Sequence, residues 1–282
     1  MSSFDPASVV VITGAAGHIG LACARRFPGR PLLLCDLHAS PLQAAAETLV
    51  EHGVEVRVHA CDLTSSDQAR GLAAAARDLG EVGVLVHAAG VAPPAPPDVI
   101  YAVNLFGTRH LLAAFQPLLG AAGVAVCIAS LAGHRRLTRG FDALLMAAVS
   151  PHAVAQEIAA LAPAVNPSRL AYAASKRATI LLAQQAAADW GAQGARVLSV
   201  SPGVVGDTAM GAARRSTSAH TAEPALPRDC ATADIADAVA FAASAGASYM
   251  TGVDLLVDGG FLAAVDHRLD PEARRRWHAV EI

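Results

Sequence analysis

One pattern recurs along the chain: a short run of β-branched and apolar residues, then a longer alanine-rich stretch with apolar positions at helical spacing. Seven such runs read as buried strands: Val9 to Thr13, Pro31 to Asp36, Val54 to Ala60, Val82 to Ala88, Gly123 to Ala129, Arg196 to Val200 and Val253 to Val257. Strands alternating with helices need right-handed crossovers. The pattern therefore predicts an α/β fold, a single-domain Rossmann-type doubly wound parallel sheet of about seven strands spanning 1–282.

Two stretches break the rhythm. Leu131 to Leu170 is too long for a connection, and Ala143 to Leu161 within it has helical apolar spacing around Pro151, which predicts a helical insertion. Its Leu144, Leu145, Met146 and Leu161 are placed to pack it down or to line an apolar pocket. Ser201 to Ala231 is rich in Pro, Gly, Ser and Arg and reads as a substrate loop. Both follow strands, at the edge where ligands bind in such sheets. Pro93, Pro94, Pro96 and Pro97 read as a stiff loop. In the tail, 261–282, the part from Asp270 reads as a short amphipathic helix that docks on a neighbouring subunit, or as a loose end.

Composition narrows the classes. Of 282 residues 54% are hydrophobic and 16% charged, which excludes a disordered or fibrous chain. A net charge of -3 without a basic patch argues against nucleic acid. Mean hydropathy is +0.41, yet the best uncharged stretch, Pro117 to Gly133, is short and broken by glycines, so no membrane partner is expected. Met1 to Ser8 lacks the basic and apolar segments of a secretory signal, and a cytoplasmic location is expected. The five cysteines are scattered without a C-x-x-C pair and read as core thiols rather than a metal site.

The chemistry begins after the first strand, where Thr13-Gly14-Ala15-Ala16-Gly17-His18-Ile19-Gly20 precedes a helical stretch, Leu21 to Phe27. Glycines let backbone N–H groups approach a pyrophosphate, and the following helix turns its positive end to the anion. Asp36 ends the second strand, where a carboxylate accepts hydrogen bonds from ribose hydroxyls and repels a 2′-phosphate, which predicts NAD; the other reading is a helix-capping or turn aspartate. Asp62 either contacts the adenine edge or starts a turn. Tyr172 and Lys176, four apart on a long helix, share one face, and an ammonium beside a phenol lowers its pKa. They accompany Asn104 and Ser130, the latter closing the fifth strand.

The set Asn104, Ser130, Tyr172 and Lys176, with Ser201-Pro202-Gly203 and Val257-Asp258-Gly259-Gly260, resembles the short-chain dehydrogenase/reductase family from Val9 to Gly260. In the short path from Gly90 to Asn104, the long insertion and Leu170 to Lys176 it resembles, more narrowly, the bacterial 3α-hydroxysteroid dehydrogenase/carbonyl reductase subgroup. The resemblance implies hydride transfer between NAD and a secondary alcohol or ketone on a hydrophobic, alicyclic or steroid-like substrate. Tyr172 would exchange the proton, Ser130 hold the substrate oxygen, Lys176 tune Tyr172 and bind ribose, and Asn104 hold a water linking Lys176 to solvent. The cofactor would lie along Gly14, Ala16, Gly17, His18, Ile19, Gly20, Asp36, Leu37, Asp62, Leu63, Ala88, Ala89, Gly90, Pro202, Gly203, Val205 and Thr208.

The chain departs from the family pattern in three places. Gly17 followed by His18 has the spacing of the extended, sugar-nucleotide-modifying branch; the alternative activity is accordingly a cofactor-retaining epimerase or lyase. His87-Ala88-Ala89-Gly90 replaces Asn-Asn-Ala-Gly, which bears on the support of the central strands. Asp207 takes the register of the nicotinamide-binding Thr, and Thr208 follows it. A non-catalytic dinucleotide sensor would not need the full catalytic set. His134, Arg135 and Arg136 are positioned to meet an acidic group but are read as solvated. The insertion should cover the helical face next to Tyr172. A homodimer is then expected through Asp234 to Ala243 and the last strand.

Overall fold

The computed structural model describes residues 7–50, 55–135, 139–208 and 223–278. Its seven strands are β1 (Val9–Thr13), β2 (Leu32–Asp36), β3 (Val56–Ala60), β4 (Val82–His87), β5 (Val124–Ile128), β6 (Arg196–Pro202) and β7 (Asp254–Val257). They form one sheet in the order β3-β2-β1-β4-β5-β6-β7, every pairing parallel. The order runs outward in both directions from β1 and β4. The carboxyl ends of those two strands therefore open the switch-point crevice where such sheets bind ligands.

Alternation within the strands divides the core in two. Val10, Ile12, Val84, Val86, Val126, Leu198 and Val200 point to one face, beneath α1 (His18–Ala24), α2 (Ala39–Val50) and α9 (Thr232–Ala242). Val9, Val11, Leu85, Ala125, Cys127 and Val197 point to the other, beneath α3 (Ser66–Leu79), α5 (Thr108–Phe115) and α8 (Pro167–Trp190). β1, β4, β5 and β6 are buried at every residue, as their apolar runs require, whereas β3 is a partly exposed edge.

Some sequence boundaries shift. The first helix begins at His18 rather than Leu21, because Gly17, in extended backbone, starts it directly from the loop. Pro97 does not belong to a stiff loop: it opens α4 (Pro97–Tyr101), where its fixed φ and missing N–H suit the first turn. Val54, Arg136, Met1 to Pro6 and most of the central part of the substrate loop, 209–222, lie outside the described residues. Among the described residues no helix is long and apolar enough to cross a membrane.

The insertion is helical, with a tight turn Leu131–His134, then α6 (Arg139–Ala147) and α7 (Pro151–Leu161). Ser150 caps α7 by accepting a hydrogen bond from the Ala153 amide, and Pro151 occupies its first turn. α6 and α7 pack on α8, and α7 also on α4. Leu145 is fully buried, with Leu144 and Met146 against the same core, so these side chains pack the insertion down; Leu161 is exposed. Two guanidiniums fasten the insertion. Arg109 of α5 donates to the carbonyls of Leu145, Met146 and Ala148, which α6 leaves unpaired at its end. Arg177 of α8 grips the Asp142 carboxylate with two bonds, at 3.0 and 2.7 Å.

Candidate active site

The switch-point crevice begins at Gly14, whose φ of +68° favours glycine and whose Cβ, if present, would lie 2.5 Å from the Ala89 amide nitrogen. A Cβ at Gly20 would lie 2.2 Å from the Gly14 carbonyl oxygen. The loop thus folds tightly against its own helix and against the chain leaving β4. The first N–H groups of α1, those of His18, Ile19 and Gly20, have no acceptor within the helix and crown this cradle. Its donor chemistry fits a pyrophosphate.

Asp36 stands beside the cradle. One carboxylate oxygen accepts from the Ala16 amide at 3.0 Å and the other from the Leu37 amide at 2.8 Å. The acid is thereby fixed at the end of β2 with acceptor capacity left on both oxygens. Asp62 uses one oxygen to accept from both the amide and the hydroxyl of Thr64, which is its turn-starting role, and Leu63 follows it, buried. Ala88 donates to the Thr13 carbonyl and so carries Ala89 and Gly90 out beside the loop. On the far side Pro202 ends β6, and Gly203 donates to Val257. Val205 bridges to Cys230. Asp207 accepts from the amide and hydroxyl of Thr232 at the start of α9, while the Thr208 hydroxyl donates to Val205.

The chemical residues converge from three elements. Asn104 lies in a widened helical turn, Ala102–Gly107, between α4 and α5. Buried there, it accepts from the Val91 amide at 2.8 Å and donates to the Val91 carbonyl at 2.9 Å and to Ser175 Oγ at 3.1 Å. Ser175 in turn donates to the Tyr172 carbonyl. Lys176, one residue on, is buried, and its Nζ donates to the Ile128 carbonyl at 2.9 Å. That nitrogen lies 6.0 Å from the centre of the Tyr172 ring. A Cβ at Gly90 would come within 3.2 Å of Asn104 Oδ1 and 3.4 Å of Lys176 Nζ, so Gly90 is the gap that lets Asn104 and Lys176 approach. Burial lowers the Lys176 pKa to about 8, opposed in part by Cys127.

Ser130 joins them from the end of β5, its Oγ accepting from the Ala132 amide at 3.2 Å. The turn it opens lies directly on α8: a Cβ at Gly133 would sit 2.9 Å from the Lys176 carbonyl carbon and oxygen. Sequence reasoning missed Gly133, Ser175 and Val91. Only two local signals pointed to them, a glycine three residues after Ser130 and a hydroxyl three after Tyr172.

His87 resolves the question its substitution raised. The fully buried imidazole bonds Thr13 Oγ1 through Nδ1 at 2.8 Å and Thr108 Oγ1 through Nε2 at 2.9 Å. Thr108 spends its only hydroxyl hydrogen on the Asn104 carbonyl at 2.7 Å, so Nε2 must donate and Nδ1 must accept. Burial, with Lys176 nearby, holds the ring neutral, its pKa pushed down to about 3. A neutral His thus ties the end of β1 to the turn that carries Asn104.

Two expectations about the surface are corrected. His134 is not solvated but pairs with Asp254 at 2.8 Å, and Arg135 lies over the Trp277 ring at 5.3 Å. The tail forms helix α11 (Pro271–His278), preceded by α10 (Phe261–Arg268), and it docks on its own chain. There Trp277 packs against Phe261, so the tail is not the loose end that was one of its two readings.

Comparison with known proteins agrees with this architecture. Residues 8–141 match the family model described as short chain dehydrogenase, and 153–262 match that described as enoyl-(acyl carrier protein) reductase. The short-chain dehydrogenase/reductase bsc3 of Alternaria brassicicola is 34% identical over 91% of this chain and 96% of its own. The cis-4-hydroxycyclohexanecarboxylate dehydrogenase of Sinomonas cyclohexanicum is 30% identical over 90% and 96%. Among solved structures, a 7α-hydroxysteroid dehydrogenase complexed with NADH and 7-oxo glycochenodeoxycholic acid superposes with a TM-score of 0.71 at 26% identity, covering 90% of this chain and 94% of that one. The chain belongs to the short-chain dehydrogenase/reductase family. It is an oxidoreductase of that family.

Proposed function

We propose that this enzyme interconverts a secondary alcohol and a ketone on a hydrophobic, alicyclic substrate, with NAD as cofactor. The observation that carries the reading is the buried cluster of Asn104, Ser175 and Lys176 beneath Tyr172, with Ser130 on the adjoining turn. When bound, the nicotinamide supplies or accepts the hydride. Ser130 Oγ, already oriented by the Ala132 amide, keeps its hydrogen free to donate to the substrate oxygen. Tyr172 Oη passes a proton to that oxygen in reduction and removes it in oxidation. The Lys176 charge favours phenolate at Tyr172 and brings its proton affinity nearer neutrality. The N–H groups at His18, Ile19 and Gly20 would hold the pyrophosphate, Asp36 the adenosine ribose, and Thr208, since Asp207 is engaged at Thr232, the nicotinamide amide.

The ring-bearing substrates in the names of the cyclohexane and steroid relatives support the alicyclic class. A panel of cyclic and acyclic alcohols and ketones, followed by nicotinamide absorbance with NAD and NADP in parallel, tests the reading. Turnover confined to NADP or to open-chain substrates contradicts it. Cofactor that copurifies and shows no net change in absorbance points to the epimerase or lyase reading that the Gly17-His18 spacing suggested. The proposed assembly is a homodimer through α9 and β7. The insertion covers α8 beside Tyr172, while Phe241 and Tyr249 stand exposed near the β7 edge. Light scattering of the wild type and of Phe241→Glu tests this; a tetramer indifferent to Phe241→Glu overturns it.

A further inference from the structure

The turn that carries Ser130 is gripped from two sides by distant parts of the chain. On one side His134 Nε2 meets Asp254 Oδ2 at 2.8 Å, and the other oxygen of that carboxylate accepts from Ser199 at 2.5 Å and Ser201 at 3.0 Å. Asp254 is nearly buried, and Arg177 adds its field. On the other side the Arg135 guanidinium lies over Trp277, whose ring centroid is 5.9 Å from that of Phe261. Leu131, the residue after Ser130, is buried in the same small apolar cluster. α11 is itself tied down, by His278 to the Asp266 carboxylate at 2.5 Å and by Arg274 to the Asp266 carbonyl at 3.0 Å.

We propose that α11 is a strap on the substrate end of the site, and that Trp277 is a positioning residue that fixes the Ser130 turn through Arg135 and Leu131. The argument is one of constraint. Three amides of the turn bond within it: Ala132 to Ser130 Oγ, Gly133 to the Ser130 carbonyl and Arg135 to the Ala132 carbonyl, the last at 3.4 Å. Such a turn has little intrinsic rigidity. Its orientation depends on what presses on it, and α8 beneath Gly133, Asp254 at His134 and Trp277 at Arg135 all do so. The pyrophosphate cradle has no part in these contacts, so the strap should govern substrate chemistry and leave cofactor binding alone. The functional half of this inference rests on the role proposed above for Ser130.

Hydrogen–deuterium exchange on the full-length wild type, Trp277→Ala, Trp277→Phe and Arg135→Met, with NADH titrations, separates the possibilities. Trp277→Ala should speed exchange in the 130–135 peptide about tenfold or more, leave the 13–20 peptide unchanged and keep the NADH Kd within about twofold. Trp277→Phe should restore protection. On a substrate found with the panel, kcat per NADH-titrated site should fall about tenfold in Trp277→Ala and recover in Trp277→Phe. If Trp277→Ala does not fold, Arg135→Met removes the same contact from a partly exposed position and should loosen the same peptide. Unchanged exchange at 130–135 in the folded variants, or equal loosening at 13–20, overturns the strap. Because exchange needs no turnover, failure of the strap is distinct from failure of the proposed activity. Loosening at 130–135 with full kcat would reject only the positioning role.

Discussion

The two ends of the crevice are built from different materials. At the dinucleotide end the shape is made by backbone: Gly14 and Gly20 allow close approach, α1 begins inside the loop, and Asp36 is fixed by two amides. At the chemical end it is made by side chains reaching across elements, Asn104 to Val91 and Ser175, Lys176 to Ile128, and His87 between two threonines. Backbone geometry tolerates little variation, and the glycines that produce it can be read from one segment. A side-chain network depends on partners tens of residues apart. Damage to the first end should therefore appear in cofactor affinity, and damage to the second in turnover or in stability.

The largest separation should come from Tyr172→Phe. Removal of the hydroxyl proposed to exchange the proton should lower kcat about a thousandfold or more, while the NADH Kd changes less than about threefold. A variant that keeps near-wild-type kcat on an identified ketone would end the acid/base assignment.

His87→Leu attacks the joint between the two ends. Leucine leaves the Thr13 hydroxyl without its acceptor and removes the donor to Thr108, both in a dry interior. Unpaired buried polar groups of this kind cost about 1–3 kcal/mol each. Denaturant unfolding should show a loss of that order, and His87→Asn, which keeps a donor and an acceptor, should recover part of it. A leucine variant as stable as the wild type would mean that the ring only fills space.

The dinucleotide end is probed more gently by Asp36→Ala. In the proposed complex the carboxylate would repel a 2′-phosphate and accept from ribose hydroxyls, so its loss should reduce the proposed NAD over NADP preference by about ten- to a hundredfold, read from parallel Kd values. If the wild type already binds NADPH as tightly as NADH, the assignment of NAD fails.

This contrast also explains what was legible in the sequence. The central strands were readable because apolar runs such as Val9 to Thr13 fit only a strand covered on both faces. The tight glycine loop was readable from its spacing, and the proposed set Asn104, Ser130, Tyr172 and Lys176 was picked out by its shared resemblance to one family. The contacts that orient them were not. Nothing near Gly133 shows that it must lie on the Lys176 backbone, and nothing near Trp277 shows that it reaches Arg135, more than a hundred residues earlier. His134 and Arg135 looked solvated for the same reason: their partners, Asp254 and Trp277, are supplied by topology. Pro97 was misread because four prolines suggested a loop, although proline at the first position of a helix is favourable.

The effect that is smallest over any one pH unit concerns titration, and it isolates Lys176. Its pKa is lowered from 10.5 to about 8, first by burial, so the charged form is less favourable in the folded protein than in the unfolded one. Between those two values the unfolded chain binds more protons than the folded, and this residue's contribution to stability must rise with pH. Below about 8 the cost of burying the charge is felt in full; above 10.5 it is gone. The slope from one such group is at most about 1.4 kcal/mol per pH unit. Other groups titrate in the same window, so the useful quantity is the difference between wild type and Lys176→Met, which should move in favour of the wild type as pH rises through that interval. Ketone reduction should run the other way, declining as the pH passes about 8, because the ammonium proposed to tune Tyr172 is lost. A stability difference that stays flat across the interval would show that Lys176 keeps an ordinary pKa. The lost charge could not then be the cause of the falling rate.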